Sequence, residues 1–379
     1  MLVFLTFQKD KDIASYAVVL TSLGRITRLF SDSAIPYLEY RAVENIFCKE
    51  FNAKNLSRSD CSADAAKGNV GVGIKTFLNG NGKSLQKIAE FNSDTNLYRG
   101  KTPREIVRII SDLRNERIRA TKRIHALNTI IYHCVVRDAG RIMVFECPMD
   151  EIDISNIKNV NASTKNIITF EDGENEYSFN LSKSTLYKRF ITENVLLDME
   201  VAIIKDPYNL LEQFVRTAED SQPLLNLQEM EHVYLPLFSD RGGRHVPQRS
   251  GLNQWNADGR PRDPSEIYIP IPAWIHQRFP GFFPRRDQSF QLILPNNEIL
   301  SAKVCQDGSK ALMSNPNLAL GNWLLRTVMD LAEGELLTYD RLEELGLDSV
   351  VLYKQSQGTY TIDFTGIGSY DNFYQANKQ

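Results

Sequence analysis

The chain has 379 residues, a formal net charge of −3 and a hydrophobic fraction of 42%. This length favours two domains, and the ordinary composition excludes a mainly disordered chain. The near balance of acidic and basic residues argues against a uniformly basic coat protein, although it allows a local basic cleft.

Cysteine usage and the apolar runs indicate the compartment. The five cysteines form no CxxC pair and their number is odd, which favours free thiols in a reducing cytoplasm over a zinc site or a disulfide framework. The first residues lack a basic start, and no window approaches the roughly 18 apolar residues of a membrane span. We therefore expect a cytosolic protein with no membrane partner.

Helices are predicted mainly in the first half of the chain. Apolar residues recur at helical spacing over residues 36–51 and again over residues 102–127, where Pro103 occupies the start. The second of these helices carries many arginines, which indicates either a solvated face with i,i+4 ion pairs or a surface that follows phosphates. Shorter helical patterns cover residues 84–91, 185–190 and 207–215.

The strands of the first half are predicted to form hairpins. The segments DCSADAA and VGVGIKTF are joined by the turn-forming residues 67–69. Residues 129–149 predict a second hairpin with its turn at residues 138–140, and residues 166–181 predict a third around residues 172–173.

From about residue 219 the amino-acid composition and the predicted elements change. Residues 239–266 are rich in Gly, Pro, Arg and Asn, and so long an irregular stretch in a compact domain is usually functional or disordered. Short strand patterns with turn signals follow, together with helical patterns over residues 322–331 and 339–346. The series of short strands indicates a small, mostly β, barrel-like domain.

A lysine interrupts one of the apolar strands. Lys75 lies inside VGVGIKTF, where a buried ammonium group is costly unless an anion shares its site. Asp64 precedes it on the strand that leads into the turn, so a hairpin can bring Asp64 and Lys75 side by side. A carboxylate beside an amine can organise Mg²⁺, an attacking water and a phosphate, because the carboxylate ligates the metal and the amine stabilises negative charge.

This arrangement resembles the PD-(D/E)XK nuclease core, in which a helix precedes a hairpin carrying Asp and (Glu)-x-Lys and another helix follows it. On this resemblance Asp64 and Lys75 match the two fixed positions. Glu44 matches the acid that is often found on the leading helix. The resemblance therefore implies catalytic roles for these three residues and Mg²⁺ as the cofactor.

One position departs from that core. Gly73 stands where the family usually has Glu, two residues before the lysine. A variant that moves this acid onto the following helix would use Glu90, or less well Gln86, so the resemblance implies Asp64 and Glu90 as metal ligands. The alternative is a surface hairpin with a solvated lysine.

Other hydrolytic chemistries lack their motifs. None of the five histidines is followed by x-Lys, which a phospholipase-D-type nucleophile would require, and there is no GxSxG elbow. The GVGIKT segment does not meet the GxxxxGK[ST] spacing of a phosphate-binding loop.

The irregular segment after residue 239 is basic. Five arginines lie between Arg241 and Arg262, and Asp258 is the one acid among them. Arg, Asn and Gln can make bidentate contacts to guanine and adenine edges in the major groove. The alternative is a flexible linker that happens to be basic. The candidate DNA-contacting residues of this arm are Arg244, Arg249, Asn253, Gln254, Trp255, Asn256, Arg260 and Arg262.

Three further motifs lie downstream: IYIPIP followed by H and FPGFFP, then SAKVCQ, then KALMSNPNLALGNWLLR. With them, roughly the last 140 residues resemble the C-terminal domain of NgoFVII-type restriction endonucleases, which is similar to the plant B-three DNA-binding pseudobarrel. The resemblance implies two arms that grip the major groove. The first would be residues 244–262, and the second the loop at residues 306–317 with Lys310, Ser314 and Asn315.

Together these features predict an α+β protein. An N-terminal α/β, PD-(D/E)XK-like nuclease domain would cover residues 1–218, and a mostly β pseudobarrel that recognises DNA would cover residues 219–379, with its basic arm at about residues 240–264. The resemblances imply a Mg²⁺-dependent Type II restriction endonuclease that cuts double-stranded DNA at specific sites.

The resemblances also imply partners. Cutting two strands with one active site per chain favours a homodimer, at least during cutting. A cognate DNA methyltransferase and a prokaryotic cytoplasm belong to the same expectation. The alternative function is a sequence-specific DNA-binding protein with an inactive nuclease fold, because of Gly73, and a third is an RNA- or protein-binding module.

Overall fold

The computed structural model describes residues 3–56, 61–164, 166–212 and 231–378. The chain divides into two compact units, and the helix Pro103–His125 contributes to both. In the first unit the structure describes residues 3–56, 61–115, 127–164 and 166–212. In the second unit it describes residues 116–126 and 231–378. The predicted boundary at residues 218–219 lies outside the described residues, as do residue 60 of DCSADAA and residues 213–215 of a predicted helix.

The helices of the first unit are α1 (Asp10–Arg25), α2 (Tyr40–Glu50), α3 (Thr95–Tyr98) and the first half of α4 (Pro103–His125). Residues 208–212 are also helical. The apolar spacing predicted α2 and α4, because both carry a repeated apolar stripe. Val43 and Phe47 bury the stripe of α2, and the Glu39 carboxylate accepts a hydrogen bond from Ala42 N at 2.9 Å, which caps its first turn.

The first sheet of this unit contains two of the predicted hairpins. In spatial order its strands are β1 (Lys54–Asn55), β2 (Ala65–Lys67), β3 (Val70–Leu78), β5 (Thr129–Asp138), β6 (Arg141–Pro148) and β11 (Leu197–Glu200). β2 pairs with β3 and β5 with β6 in antiparallel fashion. β3 and β5 are parallel because the chain returns through α4 between them, as a parallel pair requires.

The second sheet corrects two predictions. Its strands in order are β4 (Lys83–Glu90), β10 (Thr185–Ile191), β9 (Glu176–Asn180), β8 (Ile167–Glu171) and β7 (Lys158–Thr164). Residues 84–91 and 185–190 were predicted as helices, but they are the paired strands β4 and β10. Leu186, Lys188 and Phe190 are buried with a period of two, which is a strand pattern too short to distinguish from a helical turn.

A chain of buried polar groups connects the N-terminal segment to the first sheet. Tyr16 Oη lies 2.9 Å from His133 Nε2, and His133 Nδ1 lies 2.8 Å from Glu146 Oε1. The second oxygen of the Glu146 carboxylate accepts a hydrogen bond from the Leu5 backbone N–H at 3.3 Å. The His133 and Glu146 side chains are 0% exposed, so their hydrogen bonds replace those that water would make.

The second unit has mixed helix and sheet, with a sheet that is nearly closed and barrel-like. In spatial order its strands are β12 (His232–Pro236), β17 (Leu347–Ser356), β18 (Thr359–Gly366), β14 (Ser289–Ile293), β15 (Ile299–Cys305), β16 (Ala311–Ser314) and β13 (Ile269–Pro270). Alternate side chains of these strands fill one apolar core. The fold is therefore of the α+β class.

The helices of this unit are α5 (Ala273–Arg278), α6 (Ala319–Gly321), which continues as a π-helix over Asn322–Val328, then α7 (Tyr339–Leu345) and α8 (Ser369–Asn377). Residues 239–266 are irregular apart from a short 3-10 helix over Gly251–Asn256, as the sequence predicted. In the described ranges, no helix has both the length and the apolar character needed to cross a membrane.

Candidate functional site

The hairpin of β2 and β3 brings Asp64 to the strand that carries Lys75. The backbone N–H of Asp64 donates to Val72 O at 2.9 Å, and Asp64 Oδ2 accepts a hydrogen bond from Ile74 N at 2.7 Å. The carboxylate is thus held against the residue that immediately precedes Lys75. Alternation along β3 places Lys75 on the same face as Gly73.

Asp64 and Lys75 influence each other's ionisation. Burial raises the pKa of Asp64, and the positive charge of Lys75 opposes that rise. Burial lowers the pKa of Lys75, and the negative charge of Asp64 opposes that fall. Each group therefore favours the charged form of the other in a site that water solvates poorly.

Glu44 interacts electrostatically with Asp64. It is on α2, its residue exposure is 4%, and its Oε2 accepts a hydrogen bond from Arg41 Nη1 at 3.0 Å. Burial raises the pKa of Glu44, the charge of Asp64 raises it further, and Arg41 opposes both. Asp64 thus interacts electrostatically with both Glu44 and Lys75, and the catalytic roles of the three residues stay predictions.

The donor chemistry of this group fits Mg²⁺. Glu44 and Asp64 offer carboxylate oxygens, and their mutual repulsion is a cost that a divalent cation would offset. Within the described part of the chain, no three His, Cys, Asp or Glu side chains converge in a way that could hold a metal. Two carboxylates are sufficient for Mg²⁺, which usually keeps several waters and takes its other ligands from substrate phosphates.

Glu90 occupies a different place from the one predicted. It is the last residue of β4, not part of a helix, and it is exposed, with its Oε2 3.1 Å from Lys87 Nζ. Gln86, the weaker candidate, is on the same strand and donates a hydrogen bond to the Ser84 hydroxyl. The metal-binding role of Glu90 stays a prediction.

Two buried cations beside this group were not singled out from the sequence. Arg114 of α4 is 4% exposed and donates from Nη2 to Tyr132 Oη at 2.6 Å. Lys188 of β10 is 8% exposed, and its Nζ lies 5.6 Å from the ring centres of both Tyr132 and Phe190. The alternation of Leu186, Lys188 and Phe190 was the available signal for Lys188, whereas Arg114 resembled the other arginines of its helix.

In the second unit, Arg244 is engaged by its own protein. Its Nη1 and Nη2 donate to the Asp371 carboxylate at 3.1 and 3.2 Å, and its Nε donates to Asp240 Oδ1 at 3.1 Å. The guanidinium carbon lies 4.2 Å from the ring centre of Phe238, which adds a cation–π contact. Arg244 therefore connects the start of the basic arm to α8.

The other predicted arginines also hold the arm. Arg249 forms an ion pair with Asp258, and Arg260 Nη2 lies 2.5 Å from Glu266 Oε1. Arg262 Nη1 donates to three backbone carbonyl oxygens of the same loop, the shortest at 2.6 Å. Arg249 and Arg260 have exposed side chains, at 67% and 57%, whereas that of Arg262 is 15% exposed. Arg249 and Arg260 are thus the two of these arginines that present a guanidinium to solvent.

Asn253 is enclosed by its own protein. Its residue exposure is 0%, its Nδ2 donates to Pro247 O at 3.1 Å and Leu337 O at 2.9 Å, and its Oδ1 accepts from Leu337 N at 2.9 Å. An amide that is buried and occupied in this way has a structural role, and its contact with a base edge stays a prediction. Among its neighbours, Trp255 packs against the core and Gln254 is half-buried, whereas Asn256 is exposed and donates to a backbone carbonyl at 3.0 Å.

The second predicted arm contains both exposed and buried residues. Lys310 and Asn315 are exposed, so their side chains are accessible for contact with DNA. Ser314 is 1% exposed, and its hydroxyl donates to Pro316 O and accepts from Leu320 N, each at 2.8 Å. Ser314 therefore holds the loop through these two hydrogen bonds, and its role as a DNA contact stays a prediction.

Comparison with known proteins bears on the second unit. No curated protein matches the chain significantly. Residues 227–356, less than half of the chain, match the family described as the NgoFVII C-terminal B3-like DNA-binding domain, a domain of restriction enzymes. The matched range contains the basic arm and the second predicted arm. Over these residues the chain is similar to a restriction-enzyme domain that binds DNA, and this similarity indicates a DNA-binding protein of the restriction-enzyme type with double-stranded DNA as its partner.

Proposed function

We propose that the protein is a site-specific endonuclease that hydrolyses phosphodiester bonds of double-stranded DNA with Mg²⁺. The observation that supports this most is the grouping of Glu44, Asp64 and Lys75 in a chain whose residues 227–356 match a restriction-enzyme DNA-binding domain. The order of α2, the β2–β3 hairpin, α4 and β5 is also compatible with a PD-(D/E)XK core.

The roles of the side chains follow from their charges. When bound, Mg²⁺ would polarise the phosphate and lower the pKa of a coordinated water. Asp64 is its central ligand in this proposal. Glu44 is the carboxylate whose charge reaches Asp64, and Glu90 is the second acid that the family resemblance implies. Mutation of each acid separates these two assignments.

Lys75 acts on the phosphate and the water. Its ammonium group donates a hydrogen bond to a non-bridging phosphate oxygen and stabilises the negative charge that grows there as water attacks phosphorus. The bond from phosphorus to the leaving oxygen breaks, the attacking water gives up a proton to solvent, and the leaving oxygen takes up a proton from solvent. Burial lowers the pKa of Lys75, so this side chain also exchanges a proton more readily than an exposed lysine.

A plasmid digest tests the proposal directly. The wild-type chain is incubated with DNA of known sequence in EDTA or in Mg²⁺, and the ends of any fragments are sequenced. Discrete fragments with a common end sequence, formed in Mg²⁺ and absent for Asp64→Asn, are the expected result. Cleavage of equal rate in EDTA, or by Asp64→Asn, would refute the metal-dependent assignment.

A DNA-binding protein with an inactive nuclease fold is the second candidate. Gly73 in place of the usual acid favours it, as does the lack of a three-residue metal group in the described ranges. Tight binding to one sequence without cleavage in Mg²⁺, Mn²⁺ or Co²⁺ would support this function and exclude the first.

The proposed nuclease has partners and a compartment. One active site per chain calls for two chains to cut both strands, so a homodimer on DNA is part of the proposal. A cognate DNA methyltransferase would protect host sites, and both proteins would work in a prokaryotic cytoplasm. Sedimentation of the chain with and without a cleavable duplex tests the dimer.

A further inference from the structure

Three cationic side chains approach one face of the first sheet. Lys75 is two residues beyond Gly73, and Gly73 is the neighbour of Tyr132 in the β3–β5 register. Arg114 donates to the Tyr132 hydroxyl at 2.6 Å, and Lys188 Nζ lies 5.6 Å from the centre of the Tyr132 ring. Tyr132 is thus the common neighbour of Arg114 and Lys188, and Lys75 lies on the adjacent strand.

The positive charges of this cluster are poorly compensated. Among the residues that the structure describes, no carboxylate oxygen lies within 4.0 Å of the side-chain nitrogens of Lys75, Arg114 or Lys188. Within the same described ranges, Arg114 Nε lacks a hydrogen-bond partner. Arg123 offers a contrast, because its Nη2 lies 2.7 Å from a Glu116 oxygen. The cluster differs from an ordinary buried ion pair in that the cations outnumber the anions next to them.

Such a cluster is costly in the absence of a ligand. Burial lowers the pKa of Lys75 and of Lys188, and the charge of Arg114 contributes to both shifts. Asp64 and the Cys134 thiol act on Lys75, while the Cys147 thiol, Asp150 and Asp172 act on Lys188, so the compensation is partial. Buried charges without close partners destabilise a fold, and they are found where a ligand of opposite sign binds.

Lys188 is accessible to such a ligand. It lines a cavity of about 180 Å³ together with Cys147 and Phe190, and the other charged residues of the lining are Glu174, Glu176, Arg189 and Glu193. The cavity reaches the Lys188 side of the cluster, and a phosphate group suits the donors of the cluster. Lysine contributes a compact point charge, and the guanidinium of Arg114 has unused donors in a planar fork that matches phosphate oxygens.

We propose that Arg114 and Lys188, together with Lys75, form an anion site that receives a phosphate of the DNA backbone next to the bond that is cut. This inference rests on the proposed function, which places the DNA backbone at Lys75. A neighbouring phosphate held by Arg114 and Lys188 fixes the strand so that the scissile phosphate meets Asp64 and Lys75. Arg114 and Lys188 would then determine how tightly the strand binds, independently of any metal.

The first test uses inorganic phosphate and the full chain in EDTA. Lys188→Met removes the charge and keeps an apolar stem, and Lys183→Met is its matched control at an exposed lysine in the turn before β10. Without phosphate we expect Lys188→Met to melt above the wild type, because an uncompensated buried charge is gone. Phosphate should raise the melting temperature of the wild type and of Lys183→Met, but not that of Lys188→Met. The proposal would be overturned if Lys188→Met melted below the wild type and phosphate raised its melting temperature by as much as it raises that of the wild type.

The second test measures binding of a non-specific duplex in EDTA over a range of salt concentrations. Each cation that contacts a phosphate contributes about one unit to the slope of log K against log salt. Lys188→Met should lower the slope by about one and Lys183→Met should not. Tyr132→Phe, which leaves every charge in place but removes the hydroxyl that Arg114 binds, should weaken binding without changing the slope.

These binding experiments separate the two proposals. A wild-type chain that shows the expected slopes but cuts no DNA would refute the nuclease function and leave the anion site intact. A chain that cuts DNA while Lys188→Met keeps the wild-type slope would refute the anion site alone.

Discussion

Gly73 lies so close to Met149 that a Cβ at position 73 would stand 2.3 Å from Cε of Met149. On the PD-(D/E)XK resemblance, the position at which Glu is usual is therefore filled by a methionine methyl group. Met149 is 3% exposed and cannot simply turn into solvent. The packing of this neighbour gives a physical reason why residue 73 has no side chain.

This contact predicts strong coupling between the two positions. Gly73→Ala should lower the free energy of unfolding by ~1–3 kcal/mol, because the added methyl overpacks the site. In a Met149→Ala background the same substitution should cost at least ~1 kcal/mol less, since the conflicting atoms are gone. Urea unfolding of the two single variants and the double variant measures the coupling. Strictly additive costs would mean that the Met149 side chain moves away without penalty.

Loss of the central acid or of the lysine should abolish cutting but spare the fold. Asp64→Asn and Lys75→Met remove charges aimed at the metal and the phosphate, and we expect a loss of roughly 10²–10³-fold or more in cleavage rate for each. Lys83→Met, an exposed lysine on β4, is the control and should cut at the wild-type rate. Quenched plasmid assays under single-turnover conditions provide the rates.

The second acid is identified by comparing two glutamates. If Glu44 helps to hold the metal, Glu44→Gln should raise the Mg²⁺ concentration needed for half-maximal cleavage by ten-fold or more, which is the usual effect of losing a metal-site residue. Glu90→Gln should do so only if the acid implied by the family resemblance operates. If Glu90→Gln and the wild type depended equally on Mg²⁺, Glu90 would not be a metal ligand. The same result for Glu44→Gln would exclude Glu44 as a metal ligand.

The carboxylates of Asp64 and Glu44 should leave a signature in the pH dependence of stability. Burial raises the folded-state pKa of Asp64 and of Glu44 above the unfolded values. The folded state then binds more protons in that window, so their contribution to stability is present at low pH and is lost as pH rises through the raised pKa values. Melting temperatures in EDTA should therefore fall less with rising pH for Asp64→Asn than for the wild type. Mg²⁺ should restore the wild type at neutral pH, and identical pH profiles for both proteins would contradict the assignment.

Two neighbouring asparagines should respond differently to truncation. Asn253→Ala leaves the Leu337 N–H and two carbonyl oxygens without partners in the core, so it should cost about 2 kcal/mol or more. Asn256→Ala affects an exposed side chain and should stay within ~0.5 kcal/mol. Chemical unfolding of both variants is the measurement. A larger cost for Asn256→Ala than for Asn253→Ala would contradict the structural role of Asn253.

Sequence choice should depend on the exposed residues of the arms. If Arg260 contacts a base, Arg260→Ala should lose roughly ten-fold or more in discrimination, since a good bidentate contact is worth ~1–3 kcal/mol. Arg262→Ala should instead weaken binding to all sequences, because Arg262 holds three carbonyl groups of its own loop. Competition between specific and scrambled duplexes, in an Asp64→Asn background without Mg²⁺, separates the two effects. If Lys310 contacts phosphate, Lys310→Ala should reduce affinity for both duplexes alike.

Long elements were predictable from the sequence because their pattern repeats. The apolar stripe of α4 and the consecutive buried residues of β5 and β6 each extend over several periods. Residues 84–91 and 185–190 were misassigned because segments this short are about equally compatible with a helix and a strand. Each is a strand because it pairs with the other, and this partner is distant in sequence.

The site was predictable only in part for a related reason. Asp64 and Lys75 lie on one hairpin, so local geometry alone brings them together. Lys188 reaches the same face through the pairing of β10 with β4, which no local pattern reveals. Asn253 and Asn256 are the same residue type three positions apart, and their different roles depend on Leu337, 84 residues away from Asn253.

The hydrogen bond from Leu5 N–H to Glu146 has a practical consequence for anyone who prepares this protein. Expression designs often trim a few leading residues, on the view that chain ends are dispensable. Here a trimmed chain that starts after Leu5 would leave a buried carboxylate oxygen on β6 without its donor, next to His133 and Tyr16. Purification tags should therefore be fused upstream of an intact N-terminal segment, since a shortened version could lose yield for reasons unrelated to the chemistry of Asp64 and Lys75.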